Sequence, residues 1–146
     1  MKTITTFAAL FFLSAFALLG QDANAILGTW LVEDKDAQVE IYSCGDKFCG
    51  KIVWLEAPND EAGNPRKDKL NADKSLRDRP IMGVNLMQDF VFDGTTWSDG
   101  TIYNSRDGKT YAGYLKLNED GSLFMKGGYK IMGMMIGKSN TWTRVN

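Results

Sequence analysis

The side chains able to do chemistry in this chain are carboxylates, tyrosines, lysines and arginines, because its 146 residues include no histidine. Serine and cysteine nucleophiles of the common kinds need an imidazole to accept their proton. The common zinc enzyme sites also use histidine ligands. These sites cannot be built from this chain alone, and the composition favours a protein that is not an enzyme.

One group of polar residues has the composition of a binding site for a small acid. Arginine pairs with carboxylates and phosphates through two parallel N–H groups, and tyrosine supplies a partly apolar wall. We expect Arg77, Tyr103 and Tyr111 to share one site for a small anionic or amphipathic molecule. The alternative is structural, since Asp73 and Arg77 are spaced i, i+4 and can pair with each other. The full group is Asp73, Arg77, Arg79, Asn85, Tyr103, Arg106, Asp107, Lys109 and Tyr111.

A methionine-rich segment, residues 131–136, lies between Lys130 and Lys138. Clustered thioethers suit Cu(I), and Met132, Met134 and Met135 also suit an exposed contact surface for a protein or lipid partner. The interpretation that the pattern favours is a hairpin whose methionine side chains fold over the end of the core.

The two cysteines, Cys44 and Cys49, are separated by four residues that include Gly45. Redox dithiols usually have two intervening residues and a helix N-terminus at the first cysteine. Here the flanking residues look like strands, which favours a structural disulfide across a hairpin tip. The chain-entropy contribution of so short a loop is about 2 kcal/mol.

The N-terminus has the three parts of a secretory signal peptide. Lys2 precedes an apolar run over residues 7–20, and Ala23-Asn24-Ala25 follows as a cleavage signal. The run has about 14 residues, short of the roughly 20 that span a bilayer. We therefore predict a signal peptide over residues 1–25, one domain over residues 26–146, and export to the periplasm or the exterior; cleavage after Gly20 also fits.

The charge of the chain argues against nucleic acid as a partner. The formal net charge is −1 at pH 7, and both signs are well mixed along the sequence. Binding to nucleic acid depends on a basic face that neutralises phosphates. No stretch after the leader is long and apolar enough to span a bilayer, so no transmembrane segment is expected after processing.

Short strand-like segments alternate with turn signals along the rest of the chain. Four Asp-Gly pairs, at residues 93–94, 99–100, 107–108 and 120–121, are typical of tight hairpin turns. No segment after the leader shows a sustained helical period. The pattern predicts an all-β, antiparallel up-and-down barrel of about eight or more strands.

The two ends of the domain favour a closed barrel over an open sandwich. Trp30 lies in the first predicted strand and Arg144 in the last. If the sheet closes, Arg144 can lie over the indole ring in a cation–π contact that closes the barrel. The alternative role for Trp30 is to stack on a ligand.

Residues 56–79 interrupt the strand pattern with a polar stretch that contains Pro58 and Pro65. A loop of this length in a small domain is usually a functional loop or a disordered one. We predict an ordered flap over one barrel mouth, with a solvated linker as the alternative. If Trp54, Phe92 and Trp97 point inward, they fill a narrow barrel and leave no room for a ligand.

A series of short motifs resembles the exported bacterial proteins grouped as domain of unknown function 2147. The resemblance implies a lipocalin-like barrel in the periplasm or outside the cell, and it implies no catalytic residues. One departure is Asn104-Ser105, where the family usually has a proline. The motifs occur in order over nearly the whole mature chain: Gly28-Thr29-Trp30; Cys44 and Cys49-Gly50 with Ile52-Val53-Trp54-Leu55; residues 73–77 with Arg79-Pro80-Ile81-Met82-Gly83; residues 97–103; Gly108-Lys109-Thr110-Tyr111; Leu123 with Gly127 and Tyr129; and Gly137 with Thr141-Trp142-Thr143-Arg144.

These observations predict an exported, non-enzymatic binding module for a small molecule, with no cofactor and no metal. The alternative is an envelope interaction protein that uses the methionine-rich hairpin as an exposed apolar surface and has no occupied cavity.

Overall fold

Eight antiparallel strands, each paired with its neighbours along the chain, form a closed barrel in the computed structural model, which describes residues 20–146. Pairing of the first strand with the last closes the sheet, so the predicted up-and-down barrel is confirmed. The strands are β1 (Gly28–Leu31), β2 (Ala37–Cys44), β3 (Lys47–Leu55), β4 (Asn85–Phe92), β5 (Trp97–Asn104), β6 (Lys109–Leu117), β7 (Leu123–Ile131) and β8 (Met134–Arg144).

Residues 1–19, which form most of the predicted signal peptide, lie outside the described residues. Within residues 20–146, no helix is long and apolar enough to cross a membrane. The helical structure described consists of two short 3₁₀ turns, Ala23–Ile26 and Lys74–Leu76.

The barrel interior is filled by large side chains. Trp30, Phe90 and Trp97 are fully buried. The Phe90 ring is accommodated by two paired glycines, since a Cβ at Gly100 or Gly113 would lie within 2.4 Å of it. Of the three aromatic residues whose inward orientation would fill the barrel, Trp97 lies in the interior and Phe92 packs on its ring at 4.6 Å, whereas Trp54 is 39% exposed on the barrel wall. This part of the barrel is a packed core with no room for a ligand.

The 3₁₀ turn Ala23–Ile26 closes one end of the barrel. Ile26 is fully buried, and its carbonyl accepts a hydrogen bond from Trp30 Nε1 at 2.9 Å. The carbonyl of Ala23 accepts one from Trp97 Nε1 at 3.1 Å. Residues 23–25, which the predicted cleavage after Ala25 would remove, therefore contact the barrel.

Arg144 lies over the indole ring of Trp30, with its Cζ atom 4.2 Å from the ring centroid. The two residues are direct partners across β1 and β8. The guanidinium also donates to the carbonyls of Leu27, at 2.8 Å, and Ala25, at 2.6 Å. It therefore ties the last strand to the first strand and to the 3₁₀ turn.

We expect Arg144→Ala to lower the free energy of unfolding by roughly 1–2 kcal/mol, through loss of the cation–π contact and two hydrogen bonds. A double-mutant cycle with Trp30→Phe, measured by urea denaturation, isolates the contact between the two side chains. Coupling close to zero would show that the stacked geometry does not stabilise the barrel.

One of the four predicted Asp-Gly turns is wrong. Asp99-Gly100 lies inside β5 at a register shift, with Asp99 at φ 61°, so it forms a β-bulge and not a turn. Asp89, at φ 60°, lies within β4 at a second register shift. A positive φ at aspartate serves bulges as well as hairpin turns. The Asp-Gly pairs at residues 93–94, 107–108 and 120–121 do lie between strands.

The disulfide between Cys44 and Cys49 is present and joins β2 to β3 next to their connecting turn. Since the strands alternate in direction, the connections alternate between the two ends of the barrel. The β2–β3 turn and the 3₁₀ turn Ala23–Ile26 lie at one end of the barrel. The connections β3–β4, β5–β6 and β7–β8 lie together at the other end, which we call the flap mouth.

Candidate binding site at the flap mouth

The connection between β3 and β4, residues 56–84, folds back on itself over the flap mouth; we call it the flap. Two isolated antiparallel β-bridges pair its segments, one between Asn59 and Pro65 and one between Lys67 and Pro80. Asp73 caps its 3₁₀ turn, because the Asp73 carboxylate accepts from the Ser75 N–H at 2.9 Å. The chain here is an ordered flap, and the solvated linker is excluded.

A fully buried carboxylate, Asp68, fastens the flap to the barrel. It accepts hydrogen bonds from Asn71 Nδ2 at 2.8 Å and Arg79 Nε at 2.9 Å, both within the flap. It also accepts one from the hydroxyl of Tyr103 on β5. Arg79 completes the cluster by lying 5.6 Å from the Tyr103 ring centroid. We call Asp68, Asn71, Arg79 and Tyr103 the Asp68 latch.

The electrostatics of the latch fix its protonation state. Burial alone raises the pKa of Asp68, but hydrogen bonds from Tyr103, Asn71 and Arg79 outweigh burial and hold that pKa below its ordinary value. Burial, followed by the hydrogen bond to Asp68 and its charge, raises the pKa of Tyr103 to about 12. Near neutral pH, a neutral phenol therefore donates to an ionised carboxylate.

The latch predicts a distinct alkaline titration. Because the pKa of Tyr103 is higher in the folded state, its contribution to stability is complete below about pH 10 and is lost as the pH rises through about 12. Tyr111 also has a pKa of about 12, chiefly because it donates to Asp107. Tyrosinate absorbance followed against pH should show two phenols that ionise near pH 12 in the wild type and one in Tyr103→Phe. If this variant instead loses a phenol that titrates near pH 10, the latch geometry is wrong.

Asp68 gives the opposite pH dependence of stability, because folding lowers its pKa. The lowered pKa of Asp68 contributes stability above its unfolded value of roughly 4, and this contribution is lost as the pH falls through the folded value. The latch should therefore open in acid when Asp68 is protonated. The tyrosine hydroxyls are already protonated throughout this pH range.

The flap also rests directly on the turn between β5 and β6. Gly108, at φ +72°, faces the flap so closely that a Cβ there would lie 1.8 Å from the carbonyl oxygen of Leu70. Only glycine accepts both this backbone conformation and this distance. Backbone contact at Gly108 and the Asp68 latch are two independent attachments of one flap.

A hollow of about 550 Å³ lies between the flap and the barrel rim. Its wall is mixed, with apolar side chains from the flap facing polar groups from the strands. Within residues 20–146, Arg79 uses Nε and Nη2 on Asp68 and has no hydrogen-bond partner for Nη1. The lining residues are Asn71, Ala72, Leu76, Arg79, Pro80, Met82, Gly83 and Val84 from the flap, and Asn85, Gln88, Tyr103, Gly108 and Thr110 from the barrel.

The structure does not bring the predicted trio of Arg77, Tyr103 and Tyr111 into one cavity. Tyr103 lines the hollow, whereas Arg77 lines a second depression, of similar volume, with Lys67 and Asp78. Its Nε donates to the Asn71 carbonyl at 2.7 Å. The 3₁₀ turn directs Arg77 away from the barrel, and Arg79, two residues later, takes the position at Tyr103.

Tyr111 lies beside the hollow and not in its wall. Its hydroxyl donates to Asp107 at 2.5 Å, and its ring packs on Tyr129 at 5.4 Å. Of the remaining predicted residues, Asn85 accepts from the Tyr42 hydroxyl at 2.8 Å. Arg106 pairs with Asp34 and Asp36 of the β1–β2 loop. These contacts are structural, and the Arg106 pairs hold the β1–β2 loop against the β5–β6 turn.

Sequence reasoning missed Asp68, Asn71, Gln88 and Thr110. Asp68 stands between Lys67 and Lys69 and has the pattern of a solvated charge run. Nothing in a single sequence distinguishes it from its exposed neighbours, because its burial depends on the path of the whole flap. Gln88 and Thr110 are ordinary polar positions on strands, and only the placement of the flap makes them part of a wall.

The favoured interpretation of the methionine-rich segment is wrong. Met132 is 94% exposed and Met134 is 63% exposed, so neither side chain folds over the core. Met135 is half-buried on the opposite face of β8. Strands β7 and β8 extend past the barrel rim, which carries these side chains away from the core.

One group of potential metal ligands occurs in the described part of the chain. Sulfur and oxygen atoms of Cys44, Cys49 and Asp89 lie within 4.8 Å of one another. Both sulfurs belong to the disulfide and offer no thiolate to a metal. The group does not fit a metal centre.

The comparisons with known proteins agree with this geometry. One solved structure, described as "Protein HP1028 from the human pathogen Helicobacter pylori belongs to the lipocalin family", is similar with a TM-score of 0.68 and 30% sequence identity, over 82% of each chain. No curated protein matches. The family model described as "Uncharacterized protein conserved in bacteria (DUF2147)" matches residues 28–144. Since this match spans the barrel from β1 to the end of β8, the chain belongs to that bacterial family and has a lipocalin-like fold.

Proposed function

We propose that the protein is an exported, non-enzymatic binding protein for a small amphipathic molecule that carries an acid group. The observation that carries the proposal is the hollow of about 550 Å³ beneath the flap. This volume lies in the range of small-molecule sites, and its mixed wall suits a ligand with one polar end. A lipocalin-like fold suggests small-molecule binding.

The position of the hollow follows from the filled barrel. A barrel of eight strands has room either for its own side chains or for one small ligand. Here Phe90 and Trp97 occupy the interior, so the binding space lies above them, between the strand ends and the flap.

Charge and polarity favour an acid group at one end of the ligand. Arg79 lines the hollow, its orientation is fixed by Asp68, and its Nη1 has no hydrogen-bond partner within residues 20–146. Asn71, Gln88 and Thr110 add hydrogen-bonding groups, and Leu76, Met82 and Val84 provide the apolar part of the wall. A short acyl or aromatic acid matches this division.

The latch supports binding over catalysis. General acid–base groups work best with a pKa near the operating pH. Asp68 and Tyr103 are shifted away from neutrality in opposite directions, so each keeps its proton state and holds structure. The chain also contains no histidine.

Export is supported by the disulfide, since such bonds persist in oxidising compartments. Cleavage after Gly20 fits the packing better than cleavage after Ala25. It retains the carbonyls of Ala23 and Ala25 that Trp97 and Arg144 use. N-terminal sequencing of the exported protein distinguishes the two sites.

Anilinonaphthalene sulfonate, a small amphipathic anion, provides a test. The wild type should bind it with enhanced fluorescence. Thr110→Trp, which fills the hollow from β6 beside Tyr103, its direct partner on β5, should abolish that binding. Thr143→Trp, an equal change on an exposed β8 position near the other end of the barrel, is the matched control and should bind normally. Equal binding by all three proteins would place the probe elsewhere and overturn the proposal.

A further inference from the structure

The end of the β7–β8 hairpin extends beyond its backbone pairing with the neighbouring strands, and side-chain contacts at its base, Tyr129 with Tyr111 and Lys130 with Asp99, join it to the barrel. Pairing of β6 with β7 reaches Gly128 and no further. Pairing of β1 with β8 is limited to Arg144 and Thr143. Within the described chain, residues 129–136 therefore pair only with each other; we call them the ribbon.

The ribbon has one strongly apolar face. Tyr129 pairs with Ile136 and Ile131 pairs with Met134, so the four side chains share a face. Each is between 49% and 63% exposed. At the turn, Met132 (φ 50°) and Gly133 (φ 81°) direct the Met132 side chain almost entirely into solvent. Leaving so much adjoining apolar surface exposed is unfavourable for an isolated protein and indicates a contact surface.

The charge of this part of the chain differs from the rest. Residues 121–146 contain Lys126, Lys130, Lys138 and Arg144 and no aspartate or glutamate, although the whole chain has 17 basic and 18 acidic residues. Lys130 is paired with Asp99 of β5 at 3.0 Å, but more than half of its side chain is exposed. Lys126 and Lys138 lie close to the base of the ribbon, on β7 and β8. The apolar tip therefore projects beyond Lys126 and Lys138, which we call the basic collar. The carboxylates nearest this hairpin are already bonded, Asp99 to Lys130, Glu33 to Asn140 and Thr141, and Asp107 to Tyr111.

We propose that the ribbon docks the protein on an anionic phospholipid surface, with Met132 and its apolar neighbours in the acyl boundary and the lysines among the headgroups. A protruding tip needs no complementary groove in order to bury itself in lipid, and flexible methionine side chains adapt to a fluid surface. The lysines keep their ammonium groups at the headgroup level and gain from the negative surface potential.

The same charges disfavour a second copy of this chain as the occupant. Two ribbons placed face to face would bring four lysines together, Lys126 and Lys138 of each copy, which have no ion-pair partner within the described residues, and β7 and β8 carry no acidic residue to offset them. Like charges at an interface oppose association. An anionic membrane satisfies the apolar tip and the basic collar at once. Docking by the ribbon would turn the flap mouth toward the lipid, and it does not depend on the hollow being a binding site.

The test is co-sedimentation of the full mature protein with vesicles. We expect binding to vesicles that contain phosphatidylcholine and phosphatidylglycerol in about a 2:1 ratio and much weaker binding to phosphatidylcholine alone. Raising the salt to about 0.5 M should weaken the binding through screening. Equal binding to both vesicle types, or binding to neither, would overturn the proposal.

Two kinds of variant locate the contact. Met132→Ser with Met134→Ser should reduce binding at least tenfold, and each of Lys126→Gln and Lys138→Gln should reduce it roughly fivefold. The matched controls, Val91→Ser on β4 and Lys116→Gln on β6, change exposed residues of the same kinds away from the ribbon and should bind like the wild type. All changed side chains are largely exposed or half-buried, so thermal denaturation should confirm that each variant is folded. Binding that survives the double methionine variant, or a dimer in sedimentation velocity that this variant abolishes, would contradict lipid docking.

Discussion

Asp68→Ala is expected to release the flap while leaving the eight-stranded barrel folded. The substitution removes a fully buried carboxylate that accepts from Tyr103, Arg79 and Asn71. Removing one partner of a buried pair costs more than the pair contributes, because the remaining groups lose their partner. Arg79 is partly exposed and can regain water, so we expect a loss of about 2–4 kcal/mol.

Hydrogen exchange measures this loss locally. Two amides report on the folded state of the flap, that of residue 68, which donates to the Arg79 carbonyl, and that of Ile81, which donates to the Arg66 carbonyl. Their protection should fall in Asp68→Ala, while amides of β6 and β7 keep theirs. Asp78→Ala is the control, since Asp78 lies in the same flap and its side chain is 92% exposed. Equal effects of the two substitutions would show that the latch does not hold the flap.

Gly108→Ala is expected to displace the flap by a different route, with no change in charge. The added Cβ would lie 1.8 Å from the Leu70 carbonyl oxygen, and the backbone stands at φ +72°. Left-handed strain for alanine costs roughly 1–2 kcal/mol, and the collision with the flap backbone adds to it. We expect a total loss of about 3 kcal/mol or more and the same pattern of lost amide protection.

Gly121→Ala separates the two contributions. Gly121 has φ +83° but nothing within 4 Å of its Cβ position, so it reports the backbone strain alone. The difference between the two variants measures the contact between the flap and the β5–β6 turn. A difference near zero would mean that the flap does not rest on Gly108.

The barrel was predictable because most of its signals are local. Alternating apolar residues and Asp-Gly turns each depend on a few neighbouring positions. Closure was inferred from the one long-range signal, Trp30 and Arg144 in the first and last strands, and their contact confirms it. Errors occurred where one local signal serves two structures, as at Asp99, whose positive φ forms a bulge inside β5. The ribbon was misjudged for a different reason. Its exposure depends on where β6 and β1 end, which the sequence of the ribbon itself does not state.

The site was only partly predictable, because it forms between a long loop and the strands it covers. The sequence indicated an ordered flap and a binding site that uses arginine and tyrosine, and Tyr103 does line the hollow. The choice between Arg77 and Arg79 depends on one 3₁₀ turn, Lys74–Leu76, which sets the direction of both side chains. Asp68 could not be identified, since its burial results from the placement of the flap on the barrel, where its partner Tyr103 is 35 positions away in sequence.

The most direct test of the binding proposal is native mass spectrometry of the protein purified from the cells that produce it. The account predicts a small-molecule mass bound to the wild type and to Thr143→Trp, and its absence from Thr110→Trp, in which an indole occupies the hollow. A ligand-free mass for all three proteins, or a ligand retained by Thr110→Trp, would contradict the assignment of the hollow as the binding site.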